Sequence, residues 1–156
     1  MTQQTNHNHL ITQDFKIVIP GLEHLNYFIQ RAPLPGMHQM AVESGYQNNK
    51  VKTPGETIMY DPLMVDFLVD ELGENHYSLQ EWMRQHHSYE RPYEKLKDIT
   101  LHIFNRNKNA NIEYTFYGAF PTDVEQLSFD STLGGTDPVL CSVTFAYQYY
   151  KMTKRP

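Results

Sequence analysis

The chain has 156 residues, of which 40% are hydrophobic and 13% aromatic, with 13 basic residues against 18 acidic ones. That length and composition suit one domain with a packed core and argue against wholesale disorder. A formal charge of −5 argues against a dedicated nucleic-acid binder, which shows a basic stripe, though not against a surface past which DNA slides. One cysteine, Cys141, leaves no disulfide framework and no cysteine zinc site; it sits in an apolar run and reads as a small core residue. No apolar run reaches the roughly 18 residues of a membrane span. The start, "MTQQTNHNHL", lacks the charged and apolar regions of a signal peptide, so the expected place of synthesis is a cytoplasm.

Residues 1–13 are polar and read as a flexible arm, followed by a single domain over 14–151 and a short tail over 152–156. "DFKIVIPG" alternates Phe15, Ile17 and Ile19 against Asp14, Lys16 and Val18, a first strand ended by Pro20-Gly21. "LNYFIQRA" predicts a second strand. Residues 37–57, rich in Gly, Asn, Lys and Pro, show only a possible short strand near Met40–Glu43 and predict a long loop, a length that asks for a function. "YDPLMVDFLVDE" is the third strand, with Leu63, Val65, Phe67 and Val69 on one face and Met64, Asp66, Leu68 and Asp70 on the other.

The pattern then turns helical. Ser78 and Glu81 form an S-x-x-E capping box, Tyr77 and Trp82 have the spacing of a hydrophobic staple, and Leu79, Trp82 and Met83 share a face. These signals predict one helix over about 78–88. "KDITLHIFNR" and "NIEYTFYGAF" predict a hairpin across "NKNAN", with Ile99, Leu101, Ile103, Ile112, Tyr114 and Phe116 inward. Gln126–Asp130 predicts a further short strand. "VLCSVTFAYQYYKM" closes the fold as one strand, with Cys141, Val143, Phe145, Tyr147 and Tyr149 on one face. The expected fold is therefore mainly β: an antiparallel sandwich or barrel of six or seven strands with one flanking helix. Several strands are bulky on both faces, which predicts surface buried in an oligomer.

Chemistry is poorly supported. Asp66 and Asp70 share a face but lie about 13 Å apart along a strand, whereas paired glycosidase carboxyls sit about 5–9.5 Å apart. A carboxylate-dependent hydrolase using Asp66, Asp70 and Glu71 is therefore only a remote alternative to a solvated or channel-facing acidic surface. His86 and His87 are adjacent on a helix and make a poor chelate, and His7 and His9 lie in the arm, so no metal site is expected. No metalloprotease, nucleophile-elbow or phosphate-loop motif occurs. "FAYQYY" reads as aromatic packing rather than a base-stacking platform. Lys151, Lys154 and Arg155 read as a solubilising end.

Four stretches, taken in order, resemble the tail tube proteins of contractile-tailed bacteriophages. They are "FKIVIPGLEHLNYFIQRAPLPGM", "VKTPGETIMYDPLMVDFLVDELGENHYSLQEWM", "DITLHIFNRNKNANIEYTFYGAFPTDVEQLSFDST" and "SVTFAYQYY". The resemblance covers about residues 13–150 and rests on order and spacing rather than any one motif. It implies a structural virion protein with no enzymatic activity and no cofactor. Six copies would form a ring, and rings would stack into a hollow tube inside a contractile sheath through which DNA passes. The implied partners are further copies of the chain, the sheath protein, baseplate or tube initiator and tail terminator proteins, and a tape measure protein and DNA in the lumen; no membrane is implied. An initiator or terminator ring of the same tail, or the tube of a related injection or secretion machine, is the alternative. On this reading Asp66, Asp70 and Glu113 are candidates to line the lumen, where like charge lets DNA slide, and Lys50, Val51 and Lys52 are candidates for an inter-ring contact. The 1–13 arm has no counterpart in the family pattern.

Overall fold

The structure is a computed structural model that describes residues 9–10, 14–87, 92–132 and 134–154. The elements are β1 (Phe15–Val18), α1 (Glu23–Phe28), β2 (Ile29–Arg31), β3 (Met37–Tyr46), β4 (Asn49–Tyr60), β5 (Leu63–Leu68), α2 (Glu74–Gln85), β6 (Lys97–Phe104), β7 (Ala110–Val124), β8 (Leu140–Ala146) and β9 (Tyr149–Lys154), with a 3-10 turn at Pro92–Lys95. Seven strands make one antiparallel sheet in the order β1-β6-β7-β8-β5-β2, with β9 also paired to β7. It curls into a nearly closed barrel. The remaining two strands, β3 and β4, pair only with each other.

The curl comes from β7. Its first half pairs with β6 and β9, and its second half with β8. Between them Gly118 takes φ +65, a conformation that glycine adopts without strain. The alternation read from the sequence then fills the interior. Ile17, Leu63, Val65, Phe67, Ile99, Leu101, Phe116, Cys141, Val143 and Phe145 are all buried. Trp82 and Leu79 of α2 join this core, as does Leu25 of α1.

Five predicted elements need correction. The second predicted strand is mostly helix: Leu22 and Leu25 are buried three residues apart, and the Asn26 side-chain oxygen accepts from the Ile19 amide at 3.0 Å. Four alternating residues do not distinguish a helical turn from a strand. The predicted helix over 78–88 starts at Glu74, and its last residue, 88, lies outside the described residues; α2 itself ends at Gln85. Ser78 is therefore inside the helix and caps nothing; Gly73 is the N-cap, with φ 69 and no side-chain cap bond. Asn75 anchors that start a turn earlier, donating to the Leu68 carbonyl at 2.7 Å and accepting from the Asp70 amide at 3.3 Å. Glu81 pairs with Arg84 at 2.9 Å instead of closing a capping box, and Tyr77 is exposed rather than stapled to Trp82.

The strand expected at Gln126–Asp130 is absent, because β7 itself runs on through Pro121 to Val124 and residues 125–132 carry no strand. The single closing strand is two. Tyr147 and Gln148 interrupt it opposite Gly118, where the Gln148 amide bonds the Tyr117 carbonyl at 2.9 Å. The phase slips there, so Tyr150 turns into the aromatic cluster and Tyr149 turns outward. Met152, Thr153 and Lys154, expected in a tail, are β9 residues paired with Tyr114, Glu113 and Ile112.

The fifth correction is the largest. The expected loop over 37–57 is a long β-hairpin, β3–β4, with every β3 residue exposed. Gln47 and Asn48 hold φ 44 and 67 at its tip, the two positive φ values of a type I′ turn. A bulge interrupts the ladder between Gln39 and Ala41. Gly55 sits in it, and a Cβ there would lie 2.5 Å from the Met40 carbonyl oxygen. Gly55→Ala is expected to abolish amide-exchange protection at Val42 and Thr53 while leaving the melting temperature of the barrel within about 2 °C, since a hairpin outside the core contributes little to its unfolding. Unchanged protection would show that the bulge tolerates a side chain.

Candidate assembly interface

The residues singled out from sequence do not converge on a reaction centre. Asp66 points outward from β5, half-buried, and accepts from the Ser142 hydroxyl across the β5–β8 ladder. Asp70 lies beyond the end of β5, where its carbonyl accepts from Gly73 at 3.0 Å and one carboxylate oxygen is buried without a partner. Glu71 is exposed. Glu113 sits on β7 beside His102, 3.7 Å away, on the outward face of the β1–β6–β7–β9 wall. Asp66 and Glu113 thus belong to the outward faces of two different walls of the barrel, and no one wall presents both. No group of three or more metal-ligating side chains occurs among the described residues, and none of their helices is long and apolar enough to cross a membrane.

Cys141 is inert by environment. Burial pushes its thiol up to about 11, and the carboxylates of Glu125 and Asp66 add to the effect. Reactivity follows the thiolate. Iodoacetamide at pH 8 is therefore expected to leave Cys141 unmodified in the folded protein and to alkylate it fully in urea. Stoichiometric labelling without denaturant would overturn that assignment.

Lys50, Val51 and Lys52, picked from sequence as loop residues, lie on β4 of the hairpin. Residues directly opposed in an antiparallel ladder share a face. Val42, Ser44 and Tyr46 therefore lie with Thr53, Val51 and Asn49, and this face carries no charge. Glu43 lies with Lys52, and the neighbouring Lys50 shares their face; Glu43 meets both lysines, at 3.5 Å and 3.6 Å. The distal hairpin is an amphipathic ribbon with its apolar side bare: Val42, Tyr46 and Val51 are 54%, 68% and 45% exposed. Twelve residues of β4 reach roughly 40 Å when extended.

The root of the ribbon is fixed by the tyrosines of "FAYQYY". Tyr147 donates to the Asp61 carbonyl at 2.6 Å, and Tyr150 donates to the Pro35 carbonyl at 3.1 Å. Tyr60 packs edge-on against both, at 5.9 and 5.3 Å, and Phe116 supports them from the core. Burial pushes the Tyr147 phenol well above the ordinary tyrosine range, with Tyr150, Asp61 and Tyr60 adding to it, so it remains a donor at neutral pH. Asp61 also closes the mouth of the hairpin, its amide on the Gly36 carbonyl at 3.1 Å and its carboxylate on His38 at 2.9 Å.

The family model of the phage tail tube protein matches residues 2–153. The chain belongs to the phage tail tube protein family. This tail tube family member is 28% identical over 159 residues to the tail tube terminator protein of Enterobacteria phage T4, covering 94% of this chain and 90% of that one. Its fold is shared with the tube-terminating cap of the anti-feeding prophage (TM-score 0.74, 16% identity, 99% and 100% of the two chains). It is shared as well with the sheath/tube terminator of an extracellular contractile injection system (TM-score 0.69, 17% identity, 94% and 97%). Hcp1 of Flavobacterium johnsoniae has the same fold at TM-score 0.56, with 15% identity and 90% and 95% coverage. The matched family and the T4 relative are tail tube components, and the chain is a structural protein rather than an enzyme.

Proposed function

We propose that this chain is a tail tube terminator: six copies form a ring that caps the end of a phage tail tube. The observation that carries the reading is the 28% identity to the T4 terminator along almost the full length of both chains. It favours the terminator over the repeating tube subunit that the resemblance alone suggested. The solved relatives supply the fold that both kinds of ring share and do not choose between them.

The physics of the two roles differs. A tube subunit must present complementary top and bottom surfaces, so stacking continues without limit. A terminator needs one surface for the last tube ring and a second that offers the next tube ring nothing. On this reading the partners are further copies of the chain, the last tube ring and the sheath, with the tape measure protein and DNA in the lumen. Assembly takes place in the host cytoplasm, and the ring ends in the virion tail.

Copy number and position test it. Quantitative mass spectrometry of purified tails is expected to give about six copies per tail, one closed ring, with a gold-labelled tag at one end of the tube. Many tens of copies along its length would restore the repeating-subunit reading.

A further inference from the structure

Among the described residues, two sheet surfaces expose apolar side chains side by side. One is the uncharged face of the β3–β4 ribbon. The other is the outward face of β5 and β8, where Met64 and Leu140 are 49% and 53% exposed and the central carboxylate, Asp66, is occupied by Ser142. We propose that these two surfaces are the two halves of one joint, the ribbon of each copy lying across the β5–β8 face of its neighbour in the ring.

Apolar character matches first. An isolated two-stranded ribbon is marginal in water, and among the described residues this one leaves Val42, Tyr46 and Val51 exposed. The β5–β8 face offers Met64 and Leu140, with Leu68, Ser142 and Thr144 among them, and its central carboxylate, Asp66, is half-buried and bonded by Ser142. Charge matches next. The β7 margin of that face carries Asp123, opposite Thr144, and Glu125, whose amide bonds the Ser142 carbonyl; both are exposed. Arg31, at the opposite margin, is paired in register with Asp66. Beyond its bulge the ribbon carries Lys50 and Lys52 against Glu43, with Glu56 the remaining carboxylate nearer the root. Lysine stems reach past a ribbon's edge, so Lys50 and Lys52 would meet the carboxylate margin once the apolar side is seated. Apolar side chains ringed by a charged margin are the ordinary anatomy of an interface.

The joint is heterologous: each copy gives a ribbon and receives one, so contacts propagate from copy to copy and end only when a ring closes. It rests on the ring reading above but can fail while that reading stands, since a terminator ring could close through other surfaces.

The test uses two blocked variants of the full chain, Val51→Asp in the ribbon and Met64→Asp on the receiving face, with circular dichroism to confirm that each is folded. Native mass spectrometry of the wild-type chain is expected to show a closed oligomer, and each variant alone should show at least a tenfold loss of it. Mixed one to one, the variants retain a single intact joint between them. The mixture is expected to give a discrete dimer, twice the 18.3 kDa chain, and nothing larger. A charge-swap arm stands apart from folding at those two positions. Lys50→Glu/Lys52→Glu and Asp123→Lys/Glu125→Lys should each weaken assembly, and their mixture should recover it. A wild-type chain that stays monomeric, a variant that assembles normally, or a mixture that stays monomeric would overturn the joint. Tails that still hold about six copies of a variant at one end would then place the ring contact on another surface.

Discussion

Trp82→Ala is expected to cost about 3–5 kcal/mol of folding free energy, the range for truncating a large buried aromatic. Trp82 is 3% exposed and is the place where four elements meet. Its ring packs 5.7 Å from that of Phe145 on β8. Its indole nitrogen donates to the Lys95 carbonyl at 2.9 Å, tying α2 to the 3-10 turn. The Lys97 ammonium lies 4.9 Å from its ring centre and also donates to the Pro20 carbonyl at 2.8 Å, joining β6 and the β1 turn. Truncation removes packing, a hydrogen bond and a cation–π contact together. Trp82 is the only tryptophan, so urea unfolding should be followed by circular dichroism. Trp82→Phe keeps most of the volume and should recover well over half of the loss. A cost below about 1 kcal/mol for the alanine variant would mean that α2 is not part of the barrel's cooperative unit.

Asn75→Leu should cost about 2–4 kcal/mol, because it strands buried backbone groups rather than opening a cavity. Asn75 is fully buried. Its amide donates to the Leu68 carbonyl, and its oxygen accepts from the amides of Asp70 and His76. Leucine has nearly the same volume and none of these bonds. Asn75→Asp separates the two effects by pH. An aspartic acid at this position keeps the donor to Leu68 only while protonated, so burial and that bond raise its folded pKa above the unfolded value near 4. The variant's stability should then match the wild type below about pH 4 and fall as pH rises through the interval between the two values. A pH-independent difference would mean that the clamp's hydrogen bonds do not decide its strength.

The parts of the fold that were legible share one cause. Wherever a strand has its own chain's core on one side, the period-2 pattern is intact. Ile17, Leu63, Val65, Phe67, Ile99, Leu101, Phe116, Val143 and Phe145 fall where alternation puts them. What was illegible depends on long-range contacts. The start of α2 is set by Asn75 reaching back to the end of β5, which outweighs the local signal at Ser78. The phase slip at Tyr147–Gln148 is imposed by Gly118 from the facing strand. The hairpin was hidden for a different reason. Its Gly45, Pro54 and Gly55 read as loop residues, and its two faces differ in charge rather than in bulk, so hydrophobic periodicity is weak. The tip residues Gln47 and Asn48 sat between Tyr46 and Asn49 as the available turn signal. The acidic residues were easy to see but not to place, since which wall a strand occupies depends on pairing and not on spacing.

The tyrosine foot of the hairpin also has a mechanical consequence. The ribbon is a cantilever roughly 40 Å long, held at one end by two phenolic hydrogen bonds and the aromatic packing around them. A sideways load on the far end becomes torque at Asp61 and Pro35, and from there it passes through Tyr147 and Tyr150 to Phe116 in the centre of the barrel. Force at the tip is thereby directed toward Phe116, a fully buried core residue, rather than along a strand edge.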